Sequence, residues 1–282
     1  MLNQCIIKSQ KIVNSMRLLK SILLAVLLVS FSSCDENDEG PKGTTWQLVW
    51  SDEFNPDPAL GPVAPDESKW TYDIGPFNAN NELQNYTNNP ENVIVEDGLL
   101  KITALENFSS ARVKTQGLFS QTYGRFEARL KTPYGPGIWP AFWLLGDSVD
   151  TVGWPECGEI DIMEIKGQEP NITYGSIHGP SSANPQEDAP VSKTFALIND
   201  RFDADFHIFA IEWGVDYIDF YIDETLYQRI TPGDVEEWVF NEPFFIILNV
   251  AIGGDFVGFP TSNTPFPQTM EVDYIRVYKE LN

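Results

Sequence analysis

From Trp46 onward, apolar and polar residues alternate in short runs divided by Gly, Pro and Asn. That period of two belongs to strands, and strands so spaced predict an all-β sandwich with no long amphipathic helix. In GRFEARLK, Phe126, Ala128 and Leu130 point one way and Arg125, Glu127 and Arg129 the other. HIFAIEW and YIDFYID repeat the pattern, with Ile218, Phe220 and Ile222 opposing Asp219, Tyr221 and Asp223. FFIILNVAI is apolar almost throughout, which predicts a central strand covered on both faces and makes Asn249 the anomaly within it. Pro-rich loops are expected at 55–67, 178–193 and 254–268, where a rigid sandwich often carries its binding residues. The chain shows no internal repeat and no sign of a second domain.

WPECGEIDIMEIKG breaks the apolar rule. Glu159, Asp161 and Glu164 interrupt Ile160, Ile162, Met163 and Ile165, and three acids in an otherwise buried strand are costly. Positions 159 and 161 share a face, whereas 164 has the wrong parity and would point away. A β-bulge around Ile162 and Met163 restores Glu164 to the same face. Like charges so close leave at least one carboxyl protonated at neutral pH, so one strand supplies both an acid and a base. Retaining glycoside hydrolysis uses such a pair, with carboxyl groups about 5–5.5 Å apart. A calcium-binding acidic patch is the competing reading. Trp139 and Trp143, four apart in WPAFW, face one side of a strand and suit stacking on sugar rings. The alternative is that they fill core, although Phe142, on the opposite face, is the better core residue.

Composition narrows the partner. The 282 residues carry 41 acidic against 18 basic side chains, a formal net charge of −23, with 13% aromatics. Such a surface repels phosphate backbones, which excludes charge-driven nucleic-acid binding, and makes sulfated or uronic polymers poor partners. Aromatic richness with few cations suits neutral sugars.

The N-terminus reads as an address. Lys8, Lys11, Arg17 and Lys20 precede an apolar run from Ile22 to Phe31, closed by Ser32 and Ser33, which is the order of a secretory signal over 1–33. About ten apolar residues are half of the ~20 needed to span a bilayer. Removing this segment takes the charge from −23 to −27. Phe31-Ser32-Ser33-Cys34 resembles a bacterial lipobox, which implies lipidation of Cys34 and attachment to the outer membrane through a lipid anchor only. The acidic run 35–39 resembles the surface-export tether of Bacteroidetes lipoproteins. A tether over 34–43 and a folded domain over 44–282 follow; the alternative is a solvated linker in a periplasmic or secreted protein. With Cys5 in the leader and Cys34 lipidated, Cys157 alone remains for the domain, so no internal disulfide is expected.

GEIDIMEIKG resembles the bulged acid strand of glycoside hydrolase family 16, in the form found in its laminarinases. LVWSDEFN, NNELQNYT, DGLLKITA, YGRFEARLK, GIWPAFWLLG, GSIHG, FHIFAIEW, LNVAIGGDF and VDYIRVYK extend the likeness over roughly residues 46–279. The resemblance implies a β-jelly-roll sandwich of two antiparallel sheets with a concave cleft. It further implies an endo-acting, retaining β-1,3-glucanase that works as a monomer without a catalytic cofactor. By position, Glu159 matches the nucleophile, Glu164 the acid/base, and Asp161 the residue that orients the nucleophile. His178 resembles the histidine beside the acid/base, where its ring would hold Glu164. Asn81 and Arg125 match residues that hydrogen-bond the sugars, Trp213 is expected to line the cleft, and Asn249 matches a polar position near its floor. Arg125 pairing with Glu127 or another acid, and Asn249 as a buried structural amide, are equal alternatives. Glu53, the Gly98 carbonyl and Asp273 match the positions of a structural calcium ion, against a reading of Glu53 and Asp273 as surface acids. A surface glycan-binding lipoprotein is the non-enzymatic alternative. Mixed-linkage glucan remains open as a substrate.

Overall fold

The computed structural model describes residues 45–77 and 79–281, so the leader and the whole tether, Cys34 included, lie outside it. Two antiparallel sheets form the body. The outer sheet runs Thr225–Ile230, Ile218–Ile222, His207–Trp213, Gly124–Lys131, Gln268–Glu280, Leu99–Ala104 and Val93–Glu96, and Trp46–Asp52 also pairs with the long strand Gln268–Glu280. The inner sheet runs Val191–Ala196, Ile172–His178, Glu159–Ile165, Ile138–Gly146, Phe244–Ile252, Arg112–Lys114 and Thr71–Tyr72. Consecutive strands pair along part of each sheet, but Ile138–Gly146 beside Phe244–Ile252 and Gly124–Lys131 beside Gln268–Glu280 join distant parts of the chain, because it crosses between sheets as in a jelly-roll sandwich. Among the described residues, regular helix is confined to Val149–Val152 and a single 3-10 turn at Pro58–Leu60.

The period-two patterns explain the layering. Phe126, Ala128 and Leu130 on the outer sheet meet Phe142, Ile160 and Leu248 on the inner one, all fully buried. Phe244–Ile252 is buried at every position and has a strand on each side, as its apolar run requires. Its even-numbered residues join the main core. On its other face, Phe245 and Ile247 join Leu145 and Cys157 in a smaller cluster, and Asn249 is the polar break on that face.

Parity also relocates two residues expected at the cleft. Trp213 shares its face with Phe209 and Ile211, so it lies in the core between the sheets, edge-on to Tyr123 and Phe244, its Nε1 donating to the Phe240 carbonyl. Arg125 shares its face with Glu127 and Arg129 and lies on the outer surface of the outer sheet. Its guanidinium pairs with Glu127 (2.8 Å) and Glu212 (3.2 Å). The pairing alternative holds for Arg125, and neither residue reaches the cleft.

The hairpin that carries the acid strand has no room at its turn. Gly146 donates its amide to the Gly158 carbonyl, and a Cβ on Gly146 would stand 1.9 Å from the Cys157 carbonyl oxygen. Backbone must move to admit it, so Gly146→Ala is expected to destabilise the domain by about 1–3 kcal/mol in urea unfolding. An unchanged midpoint would contradict this packing.

Candidate active site

The acid strand Glu159–Ile165 lies between Ile138–Gly146 and Ile172–His178. Its pairing slips on both sides at the same place. Phe142 faces Met163 while Trp143 faces Asp161, and on the other side the register jumps from Asp161 to Glu164. Ile162 is the extra residue. This is the expected bulge, and it lets Ile160, Ile162, Met163 and Ile165 all enter the core while Glu159, Asp161 and Glu164 face outward.

These acids open into a cavity of about 750 Å³ on the face of the inner sheet away from the core. Trp139, Trp143 and Ala141 line it, and Phe142 points into the core, as the spacing of four requires. The indoles are fixed by their nitrogens. Trp139 Nε1 donates to Glu164 Oε1 (2.9 Å), and Trp143 Nε1 donates to Asn249 Oδ1 (2.8 Å). Asn249 therefore lines the floor and orients an aromatic wall. The Arg112 guanidinium lies 4.5 Å from the ring centres of both Phe77 and Trp143 and pairs with Asp73 (3.0 Å). It is the buried cation of the cleft.

Electrostatics separates the acids from ordinary surface carboxylates. Burial, then the charge of Asp161, pushes the Glu164 pKa up to about 8, against the lowering effects of His178, the Trp139 hydrogen bond and Lys166. Burial and then Asp161 likewise raise Glu159, while His178 and Arg112 favour its anion. With both glutamates raised by burial and by Asp161, the acid strand holds a proton at neutral pH. One oxygen each of Glu159 and Asp161 and a ring nitrogen of His178 lie within 4.8 Å of one another.

His178 stands opposite Glu159 across the strand pair, and its partners differ from those expected. Its Nε2 is 3.1 Å from Asp161 Oδ2, an ion pair whose geometry falls short of a hydrogen bond, and its Nδ1 is 2.7 Å from Asp188 Oδ2. The ring therefore engages Asp161 rather than holding Glu164, which Trp139 holds instead. Asn81 is also displaced from its expected role. It is exposed, with Nδ2 donating to both oxygens of Asp255, while its neighbours Asn80 and Glu82 line the cavity. A left-handed backbone at both Asn80 and Asn81 turns the chain so that adjacent side chains diverge.

Several cleft residues carried no prior assignment. Phe256 packs on Trp139 at 5.0 Å, and Trp154 lies 6.0 Å from His178. Glu82, raised by burial, accepts from Gln84 and Asn80. Asp255 and Phe256 come from the expected loop at 254–268, and Asp188 from that at 178–193; the loop at 55–67 contributes nothing to the cavity. For Glu82 the available signal was its place in NNELQNYT, next to the asparagine chosen instead.

Glu53 follows Asp52, which pairs with Ile275, and Gly98 precedes the strand whose Leu100 pairs with Val272, so both lie at the end of the outer sheet that carries Asp273. Asp273 sits in a register shift between Val272 and Tyr274. Gly98 has φ 76°, and the Asn55 carboxamide oxygen stands 3.0 Å from where a Cβ would be. Arg276 pairs with Glu53 (3.0 Å) and Arg129 with Asp273 (2.6 Å). The donors are all oxygen, the chemistry a hard cation requires.

Residues 80–276 match glycosyl hydrolases family 16. A beta-glucanase of Rhodothermus marinus is 36% identical over 293 residues, spanning 98% of this chain and 99% of that protein. The laminarinase catalytic domain of Thermotoga maritima superposes with a TM-score of 0.76 at 43% identity, covering 84% of this chain and 99% of that one. The endo-β-1,3-glucanase of Pyrococcus furiosus gives 0.77 at 39% identity, over 86% and 97%. With the family match spanning the cavity and its acid strand, the chain belongs to glycosyl hydrolases family 16.

Proposed function

We propose that the protein is a retaining endo-β-1,3-glucanase of the laminarinase kind. The observation that carries this reading is the bulged strand that aims Glu159, Asp161 and Glu164 into one aromatic-walled cleft. Trp139 and Trp143 offer flat apolar faces to pyranose rings, and the acids Glu82, Asp188 and Asp255 around them disfavour sulfated chains.

In the first step Glu164, protonated at neutral pH, donates its proton to the glycosidic oxygen as that bond to the anomeric carbon breaks. Glu159, whose anion His178 and Arg112 favour against burial and the charge of Asp161, bonds as a carboxylate to the anomeric carbon and forms a glycosyl-enzyme. Glu164, now a carboxylate, takes a proton from water, whose oxygen displaces Glu159. The sugar leaves with its original anomeric configuration, and both carboxyls return to their starting states. Trp139 serves twice, stacking on sugar and holding the Glu164 carboxylate at one oxygen.

Glu159→Ser is expected to lower release of oligosaccharides from laminarin by about 10³-fold or more, and the wild-type product to appear first as the β-anomer by NMR. Wild-type rates in the variant would sink the assignment, and initial α-product would sink retention. Lichenan, agarose and carrageenan assayed alongside define linkage preference.

Glu164 works first as an acid, so kcat falls as pH rises through its pKa of about 8. Trp139→Phe removes a hydrogen bond that favours the anion and is expected to move that basic limb to higher pH. A limb that stays in place would separate Trp139 from the acid/base.

We also propose a structural calcium ion held by Glu53, the Gly98 carbonyl and Asp273. Calcium added to chelated protein is expected to raise Tm by several degrees, since a site at 100 times its Kd contributes about 2.7 kcal/mol. Glu53→Gln should abolish that shift, and wild-type protein that shows no calcium-dependent Tm would refute the site.

A further inference from the structure

We propose that Asp188 is a positioning residue that keeps His178 as an imidazolium between two carboxylates, thereby favouring the anion of Glu159. The inference rests on the reading of Glu159 as nucleophile.

The argument is one of proton count. Nδ1 of His178 lies 2.7 Å from Asp188 Oδ2, and Nε2 lies 3.1 Å from Asp161 Oδ2. Ionised carboxylates only accept, and a neutral imidazole has a single N–H. In the neutral ring one nitrogen lone pair would face a carboxylate lone pair at contact distance. Both contacts, the hydrogen bond to Asp188 and the ion pair with Asp161, are attractive only with a proton on each nitrogen.

Asp188 is delivered to this position by a braced loop. Pro180 and Asp188 form a bridge, Ala189 donates its amide to the Gly179 carbonyl (2.9 Å), and Glu236 accepts from Ser181 and Ser182. Asp188 Oδ1 is buried without a hydrogen-bond partner. A buried carboxylate left half-satisfied is unfavourable on its own, and an adjacent cation offsets it.

The charged groups around the ring are Glu159, Asp161 and Glu164 from the acid strand and Asp188 from the loop, with Arg112 as the second cation acting on Glu159. Burial by itself would lower the imidazole pKa; the adjacent carboxylates of Asp161 and Asp188 override it and drive the value up to about 12. Remove Asp188 and the ring loses half of that support. His178 stands directly opposite Glu159, with Asp188 beyond it, so the charge Glu159 then loses is the nearer one. Glu159 takes up a proton more readily and is a weaker nucleophile.

The chain has only two histidines, so ¹⁵N-histidine labelling resolves both rings, and His207, paired with Asp223, serves as the internal control. In wild-type protein His178 is expected to stay doubly protonated beyond pH 8. In Asp188→Asn its titration midpoint should fall by about 1–3 units, the usual effect of one opposite charge at this range. The acidic limb of kcat/KM on laminarin should move to higher pH with it, and Asp188→Glu should restore both. A wild-type ring that titrates near ~6.5, the ordinary histidine value, overturns the proposal without any variant. So does an Asp188→Asn protein that loses activity with the ring titration and the pH limb unmoved, since that is a purely structural effect. Wild-type protein inactive on laminarin would instead refute the glucanase reading, whatever the ring shows.

Discussion

The site depends on one extra residue in one strand. Strand parity allows Glu159 and Asp161 to share a face but sends a residue five positions on to the other side. In a regular strand Glu164 would enter the sandwich among Phe142, Ile160 and Leu248, where an ionised carboxylate costs several kcal/mol. The bulge at Ile162 removes that conflict and puts two consecutive apolar residues, Ile162 and Met163, into the core. The neighbouring strand stays regular, pairing with Phe244–Ile252 without a break, so the register change against it comes from the acid strand alone. The same distortion thus aims the third acid and leaves Trp139 and Trp143 on the cleft side of an undistorted strand.

A buried carboxylate cluster also needs cations close by, and the chain's composition does not provide them freely. Much of the small basic complement is committed elsewhere. Arg125, Arg129, Lys131, Arg229 and Arg276 pair with acids on the outer sheet or beside it, where they stitch strands together. The cleft keeps Arg112, clamped between two aromatic rings, the imidazole of His178, and Lys166 near Glu164. The negative excess therefore reaches into the cleft, where Glu82, Glu159, Asp161, Glu164, Asp188 and Asp255 outnumber these cations. That excess, together with burial, is what leaves a glutamate of the acid strand protonated.

That division explains which residues the sequence made legible. Period-two alternation revealed the sandwich, the central strand Phe244–Ile252 and the opposed roles of Phe142 and Trp143, because a pleated strand leaves a side chain two choices. The acid strand stood out because charge in an apolar run is expensive. Arg125 and Trp213 follow the alternation and lie away from the cleft, since their motifs are on the outer sheet and share parity with Glu127 and Phe209. Arg112, Phe256 and Asp188 are illegible for another reason. Their place in the site comes from which strand or loop lies across the cleft from which, and no local spacing encodes that. Asn81 and Glu82 show the limit at its finest, since a left-handed turn over Asn80 and Asn81 decides which neighbour faces the cleft.

The electrostatic arrangement also sets the pH dependence of the fold against itself. Asp66 and Asp234 have pKa values lowered by side-chain hydrogen bonds from Ser68 and Thr231, so their contribution is present above the unfolded carboxylate pKa and fades as pH falls. Glu164 runs the other way. Its folded pKa of about 8 lies above the unfolded value, so it stabilises the native state fully in acid and loses that contribution as pH rises through about 8. Glu159, also raised, follows the same sign. The solvated turns thus favour neutral pH, while the catalytic strand favours a more acidic one. The domain can hold Glu164 protonated at neutral pH only by keeping it where its charge is unwelcome. Desolvation that makes it an acid is the same desolvation that weakens the sandwich once it ionises, so better packing around the cleft would strengthen both effects together.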